Sequence, residues 1–130
     1  LAITMDWAAT FLAAAGVPAH ADYPLDGIDL LPVLERPQET IERELYWRMK
    51  FREQKAMRSG NWKYLSLEGS EFLFDLSKDA RERANRGKRE PERLVRMRQM
   101  YQAWEAGVPP VPVDAKVSLV YDKTSMAQPH

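Results

Sequence analysis

The sequence predicts an α+β fold: a four-stranded antiparallel meander packed by a C-terminal helix, with a separate apolar helix in front. Three observations support this. Residues 43–76 alternate with a period of two and are broken by short turn signals. Residues 91–106 place their large apolar side chains on one helical stripe. Residues 4–15 are helical in pattern but apolar almost all the way round.

Composition limits the classes of protein to consider. The chain has 130 residues, with 45% apolar side chains to build a core and 29% charged ones. No apolar stretch approaches the ~20 residues of a membrane span, so no membrane association is expected. The absence of cysteine excludes disulfides, thiolate zinc sites and cysteine nucleophiles. Because the first residue is Leu1, we expect the chain to begin inside a longer protein.

The first predicted helix spans residues 4–15, with Thr4 as a possible cap and Gly16 ending it in a left-handed conformation. A helix that is apolar on every side requires burial on every side, more than one small domain provides. We therefore expect it to belong to the end of a missing α/β catalytic domain. Residues 17–40 are interpreted as a connection, with a turn at Asp26–Gly27.

The first strand alternates two sets of side chains. Leu45, Trp47, Met49 and Phe51 form the set predicted to face the core. The set predicted to face outward is Tyr46, Arg48, Lys50 and Arg52. Three more strands are predicted at 55–58, 62–67 and 71–76, joined by tight turns at Gly60–Asn61 and at 68–70.

The helix at 91–106 begins with Pro91 and ends at Gly107, both favoured at those positions. Its apolar stripe consists of Leu94, Met97, Tyr101 and Trp104. We expect this stripe to pack on the sheet face that carries Leu45, Trp47, Met49 and Phe51. Residues 108–113 are predicted to be extended, and residues 116–121 to add an edge strand.

Few side chains suggest chemistry. Asp26 and Asp29 are interpreted as turn formers, His20 as an exposed loop residue, and Lys63 as a solvent-facing partner across the sheet. No glycine-rich phosphate loop or Gly-x-Ser-x-Gly elbow is present. Bases concentrate at 78–98, which is compatible with a nucleic-acid surface. We expect no nucleic acid, because the nearby aromatic residues belong to the core stripe.

Five stretches, in order, resemble arylsulfatase-type sulfatases of the alkaline phosphatase superfamily. They are MDWAATFL at 5–12, DGIDLLPVL at 26–34, RELYWR at 43–48, AMRSGNWKYL at 56–65, and LFDL at 73–76 with residues 79–82 and Asn85. The resemblance covers residues 1 to about 106. It departs from the family at Ala9 and Ala80, where proline is usual, and at Arg86–Gly87, where an apolar pair is usual.

The resemblance implies the C-terminal part of a sulfatase, a hydrolase of sulfate esters or sulfamates. The family uses calcium and a formylglycine made from a Cys/Ser-x-Pro-x-Arg motif, both placed N-terminal to the part present here. No serine of this chain begins that motif. The chain is thus expected to hold no catalytic residue, metal or cofactor, and whether it can be called an enzyme stays open.

The expected organisation has three parts: the end of the catalytic domain and its connection at 1–40, a C-terminal subdomain at 41–107, and an extended tail at 108–130. The expected partners are the N-terminal catalytic domain of the same protein and an anionic sulfate-ester substrate. Arg48, Lys50 and Arg52 are the residues predicted to contact that substrate. Periplasmic, secreted and cytoplasmic locations all stay open.

The alternative function is a stand-alone α+β protein-interaction module without enzymatic activity. The coding sequence upstream of Leu1 discriminates between the two. A formylglycine motif a few hundred codons upstream would select the sulfatase, and a start codon immediately before Leu1 would select the module.

Overall fold

The computed structural model describes residues 1–36 and 41–115. The chain divides into two compact units, Leu1–Arg43 and Glu44–His130. The predicted strand at 116–121 and His130 lie outside the described residues. In the ranges that are described, no helix has the length and apolar character needed to cross a membrane.

The first unit contains two helices, α1 (Asp6–Ala14) and α2 (Leu31–Glu35). α1 ends as predicted at Gly16, whose φ is +67°. The Gly16 amide donates to the Ala13 carbonyl (3.0 Å) and the Val17 amide to the Leu12 carbonyl (2.9 Å), the two bonds of a Schellman motif. The predicted Thr4 cap is wrong. Met5 is the N-cap residue and makes no side-chain cap bond, while the Asp6 carboxylate accepts the Ile3 amide (2.7 Å).

The buried side of α1 is polar. Asp6 is fully buried, and its Oδ1 accepts hydrogen bonds from the Ile28 amide (3.1 Å) and from Nη1 of Arg43 (2.8 Å). Thr10 Oγ1 accepts the Leu30 amide at 3.0 Å and donates to the Asp6 carbonyl at 2.8 Å. These bonds fix the connection that follows α1 and satisfy a charge that would otherwise be costly to bury.

A glycine is required where this connection passes the start of α1. A Cβ placed on Gly27 would lie 2.2 Å from the Met5 carbonyl oxygen and 2.9 Å from the Asp6 Cα. No side chain fits at such distances, so the Asp-Gly pair predicted to form a turn also permits close backbone approach.

The two aromatic side chains of α1 are exposed in this chain. Trp7 is 50% exposed and Phe11 is 64% exposed, and their rings stack with centroids 5.7 Å apart. The polar cluster of Asp6 and Thr10 occupies the side facing its own unit. The large apolar residues of the helix are therefore available to another surface.

The second unit is the predicted meander with its helix. Its elements are β1 (Glu44–Met49), β2 (Gln54–Ser59), β3 (Trp62–Leu67), β4 (Ser70–Asp75) and α3 (Pro91–Ala106). The strands lie in the order β1-β2-β3-β4 and every neighbouring pair is antiparallel. The β2–β3 turn has Gly60 at φ +55°, and the β3–β4 turn has Glu68 at +49° and Gly69 at +77°. Such tight turns match the twist of antiparallel strands.

β1 is shorter than predicted. It ends at Met49, and Phe51–Glu53 form a 3-10 turn in which Arg52 and Glu53 have φ of +51° and +49°. The predicted alternation through Phe51 and Arg52 is therefore wrong. The charged and aromatic residues of this stretch continued the period-two pattern, but the backbone turns sharply to start β2.

The sheet face that receives α3 differs from the prediction. Met97 and Tyr101 are buried against a cluster on β2, β3 and β4, with Tyr46 of β1 packed beside it. The strand residues of that cluster are Met57, Tyr64 and Leu73. The strand register places Leu45, Trp47 and Met49 on the opposite face, so their predicted contact with the helix is wrong.

The error has a physical reason. Both faces of the sheet are apolar, since a second cluster on the opposite face contains Leu65, Leu67, Phe72 and Phe74. A period of two identifies two faces without indicating which one a helix covers. Tyr46 was grouped with polar residues for its hydroxyl, but its ring stacks on Trp104 with centroids 5.0 Å apart and planes 7° from parallel.

Candidate functional site

A cleft of about 670 Å³ opens beside the end of β1. Arg48 enters it from β1 and Lys55 from the paired position of β2. Lys50 lies directly after β1, and Glu53 on the 3-10 turn also lines the cleft. Glu105 contributes from the last turn of α3. The cleft thus gathers three cations and two carboxylates where strand, turn and helix ends meet.

Lys55 is already paired. Its Nζ lies 2.7 Å from Oε2 of Glu105 and 5.6 Å from the centroid of the Tyr101 ring. This ion pair joins β2 to α3, so Lys55 and Glu105 neutralise each other.

Arg48 and Lys50 are bonded to uncharged groups. Nη2 of Arg48 donates to the Pro109 carbonyl at 2.7 Å. Nζ of Lys50 donates to the Ala115 carbonyl at 2.9 Å and also to the Val113 carbonyl. Both cations therefore keep their full charge while they hold the backbone that follows α3. Glu53 is the remaining carboxylate of the lining.

Arg52, the third predicted site residue, does not line this cleft. Its side chain lies over the Phe51 ring (5.1 Å to the centroid), and its Nε is 3.4 Å from Oε1 of Glu68. The structure brings two of the three predicted residues together and places Arg52 on the neighbouring turn. The shortened β1 is the cause, since Arg52 no longer continues the strand.

A second cluster of polar side chains lies between the sheet and α3. The Tyr64 hydroxyl donates to Oε1 of Glu71 at 2.8 Å, and Nε of Arg98 donates to the same oxygen at 2.6 Å. The Arg98 hydrogen bond lowers the pKa of Glu71, and burial raises the pKa of Tyr64 to about 12. Burial also raises the pKa of Tyr101 to about 12. At neutral pH both phenols keep their protons and serve as hydrogen-bond donors.

Glu71 and Arg98 are not among the predicted site residues, although Glu71 shares its strand side with Leu73. Asn85 belongs to the fifth of the stretches that resemble sulfatases, but it is not among the predicted site residues either. Its Oδ1 accepts the amides of Leu73 (3.0 Å) and Gly87 (2.9 Å), and its Nδ2 donates to the Glu71 carbonyl (3.1 Å). This asparagine fixes the connection from β4 to α3.

The other candidates have structural surroundings. Nδ1 of His20 accepts the Asp22 amide at 3.2 Å in an exposed loop. Oδ1 of Asp29 accepts the Leu31 amide at 2.9 Å, as a turn former does at the start of α2. Lys63 pairs with Glu82 (2.7 Å), which lies after β4, so its partner is not across the sheet. Among residues 1–36 and 41–115, no three metal-binding side chains form a group.

Comparison with known proteins gives matches in solved structures. No family model matches the sequence, and no curated protein matches it. The carrageenan sulfatase Ps i-CgsB, solved with k-i-k-neocarrahexaose, is 24% identical with a TM-score of 0.62. The match covers 76% of this chain and 23% of that chain.

Two further matches are of the same kind. BT33336S-sulf, from work on glycosaminoglycan metabolism by Bacteroides thetaiotaomicron, is 20% identical with a TM-score of 0.64, covering 78% of this chain and 24% of its own. BT4656, solved with its substrate D-glucosamine-2-N,6-O-disulfate, is 21% identical with a TM-score of 0.58, covering 78% and 23%.

The chain spans about a quarter of the length of each of these proteins. At identities below 25%, such matches show a shared fold. The shared fold is a four-stranded antiparallel sheet followed by a helix. The resemblance noted in the sequence is therefore confirmed in three dimensions: this chain has the fold of the C-terminal subdomain of sulfatases.

Proposed function

We propose that this chain is the C-terminal part of a sulfuric ester hydrolase, in which it supports the structure and shapes the substrate cleft. The observation that carries the proposal is the fold match between this chain and sulfatases more than three times as long. One of those proteins was solved with a sulfated amino sugar as its substrate. A sulfated sugar is accordingly the substrate class that we propose for the parent protein.

The reaction itself is assigned to the rest of the parent. The sequence holds no cysteine and no Ser-x-Pro-x-Arg motif from which a formylglycine could form. The carboxylates of the described residues are dispersed or paired with cations, and no three of them converge to hold calcium. These residues do not fit the family's calcium site. We therefore propose that both formylglycine and calcium belong to an N-terminal catalytic domain.

Arg48 and Lys50 are the residues that we propose for substrate contact. Both line the cleft, and both direct charged donors at neutral acceptors. A sulfate ester is an anion whose oxygens accept such bonds, and guanidinium is well matched to oxyanions. Arg52 remains part of the proposal because it follows these two residues closely in the sequence. In the structure it lies outside the cleft and forms an ion pair with Glu68.

The partner that we propose for α1 is the catalytic domain of the same protein. Trp7 and Phe11 stack and are half or more exposed, while Asp6 and Thr10 are buried within the first unit. Each large aromatic residue can bury about 150–250 Å². A stand-alone module would leave that surface in water, so the sulfatase is favoured over this alternative.

The proposal is tested in the full-length parent, identified from its coding sequence. Replacing both cleft cations, Arg48→Gln with Lys50→Gln, should lower kcat/KM for a sulfated sugar about tenfold or more, chiefly through KM. Lys88→Gln is the matched control, since Lys88 is exposed and lies outside the cleft. Equal loss in the control would contradict a specific role for the cleft. A parent that releases no sulfate from any sulfate ester would contradict the proposal as a whole.

A further inference from the structure

The backbone that follows α3 occupies the two cations of the cleft. Residues 108–115 leave the helix end and pass beside β1, where the Pro109 carbonyl accepts from Arg48. Farther along, the carbonyls of Val113 and Ala115 both accept from Lys50. We call residues 108–115 the strap. Among the described residues, Arg48 and Lys50 donate three side-chain hydrogen bonds to it, and each acceptor is a backbone oxygen.

The strap is only partly buried: Val108, Val111 and Ala115 are half-buried, and its other residues are exposed. Val113 is 94% exposed, and Pro109 and Pro110 are exposed as well. Prolines at 109, 110 and 112 have no amide hydrogen, so at these positions the strap cannot pair as a strand along the edge of β1. Within the part of the chain that the structure describes, its side-chain hydrogen bonds to β1 and the residue after it come from Arg48 and Lys50.

The prolines also favour detachment and rebinding of the strap as one extended segment. Their fixed φ keeps a free strap extended, so little conformational entropy is lost when it binds again. The bonds from Arg48 and Lys50 to the strap carbonyls have one ionised partner, whereas bonds to a sulfate ester have two, so Coulombic attraction between opposite charges is added only for the anion. An anion that reaches Arg48 and Lys50 can thus displace the strap.

We infer that the strap is a self-ligand of the cleft: its carbonyls and a sulfate-ester anion compete for Arg48 and Lys50. The inference rests on the proposed substrate contact and adds its regulation. The strap takes up Nη2 of Arg48 and two of the three donor hydrogens on Nζ of Lys50, so an anion held by both side chains would compete for them. Anion binding and strap attachment are therefore mutually exclusive, and occupancy of the cleft is coupled to the position of the segment after α3.

The test compares anion binding with and without the strap at constant ionic strength. The 130-residue chain and a variant ending at Gly107 are titrated with sodium sulfate and with 4-nitrophenyl sulfate by calorimetry. If the strap occupies the cations about nine-tenths of the time, its removal should tighten both apparent dissociation constants about tenfold. In the unaltered chain, the Val113 and Ala115 amide signals in NMR spectra should shift with the same midpoint as binding.

A full-length variant guards against a truncation that fails to fold. Replacing Pro109, Pro110 and Pro112 by Gly keeps every carbonyl but makes the strap costlier to order. It should change affinity in the same direction as the truncation. Arg48→Gln with Lys50→Gln should abolish binding and free the strap signals, whereas Lys88→Gln should change neither.

The outcomes separate the two proposals. Equal anion affinity with and without the strap, or strap signals that ignore bound anion, would overturn the competition while leaving substrate contact intact. Absence of anion binding in a folded variant that lacks the strap would overturn the role of Arg48 and Lys50 itself.

Discussion

Asp6 makes several long-range contacts that its local sequence pattern does not reveal. In the sequence it reads as an acid suited to the first turn of a helix. In the structure it is fully buried and ties α1 to Ile28 and to Arg43. Partners 22 and 37 residues away leave no periodic signal, so the local sequence gives no indication of these bonds.

Removing the charge of Asp6 should destabilise the first unit. Asp6→Asn leaves the Arg43 side chain, 14% exposed, without its carboxylate. Breaking a buried pair on one side costs about 3–5 kcal/mol. Faster hydrogen exchange at the Ile28 amide would report the loss. Asp22→Asn, at a side chain 84% exposed, should stay within about 0.5 kcal/mol, and an equal effect there would contradict the assignment.

The same pair predicts a dependence on pH. Hydrogen bonds from Arg43 above all, opposed by burial and aided by the Ile3 and Ile28 amides, hold the pKa of Asp6 well below its usual range. A carboxyl with a lowered folded pKa stabilises fully above its unfolded pKa of about 4 and loses that contribution as pH falls below it. Protection of the Ile28 amide should therefore fall between about pH 5 and pH 2. The fall should be absent in Asp6→Asn, and equal slopes would disprove the linkage.

Replacement by alanine should have opposite effects on stability at two glycines, Gly27 and Gly107. Gly27→Ala would bring a Cβ to 2.2 Å from backbone at the start of α1, so it should destabilise by about 3 kcal/mol or more. Gly107→Ala meets nothing nearer than 3.5 Å and has φ −87°, so it should stabilise by about 0.4–1 kcal/mol. Denaturant melts of both variants are the measurement, and effects of the same sign would contradict these environments.

At the scale of elements, the sequence predicted which helices and strands form more accurately than which of their surfaces pack together. The strands, their order, both glycine turns and the apolar stripe of α3 follow from period and turn chemistry. The face beneath α3 did not follow, because Tyr46 and Trp47 are comparably apolar and lie on opposite sides of β1. Of the cleft, only Arg48 and Lys50 were predicted. The backbone that these side chains bind was not, because no sequence pattern specifies where the segment after α3 lies.

A double-mutant cycle tests the face assignment. Trp104 stacks on Tyr46, and such aromatic pairs are worth about 0.5–1.5 kcal/mol beyond burial. The coupling between Trp104→Ala and Tyr46→Ala should lie in that range. The control cycle pairs Trp104→Ala with Trp47→Ala, whose side chain is on the other face, and should give a coupling near zero. Denaturant melts supply all the free energies, and the reverse ranking would restore the face that the sequence predicted.

At the scale of the whole molecule, the fold match covers about three-quarters of this chain and about one-quarter of the sulfatases. The resemblance supplied that assignment, whereas residue patterns alone reached only an α+β fold with an unpartnered helix. The exposed rings of Trp7 and Phe11 agree with the latter expectation.

Charge placed on α1 should distinguish the chain from its parent. Trp7→Asp with Phe11→Asp removes an exposed aromatic pair, so the 130-residue chain should self-associate less and keep its sheet. In the full-length parent the same pair should be severely destabilising, because two unpaired charges would be buried at the proposed domain contact. Light scattering and thermal melts of the four proteins are the measurements. Unfolding of the short chain by these substitutions would show that the helix belongs to its own core.

The order of the strands also bears on how the second unit acquires its structure during synthesis. Every strand pairs with its neighbour in sequence, two of the three turns need only two residues, and chain closure therefore costs little entropy. Topologies rich in such local contacts fold quickly. The sheet can form as soon as residues 44–75 leave the ribosome. α3 begins 16 residues later, at Pro91, and completes the core once Met97 and Tyr101 have followed. In a long parent chain, this limits the time during which unpaired strand edges are exposed to aggregation.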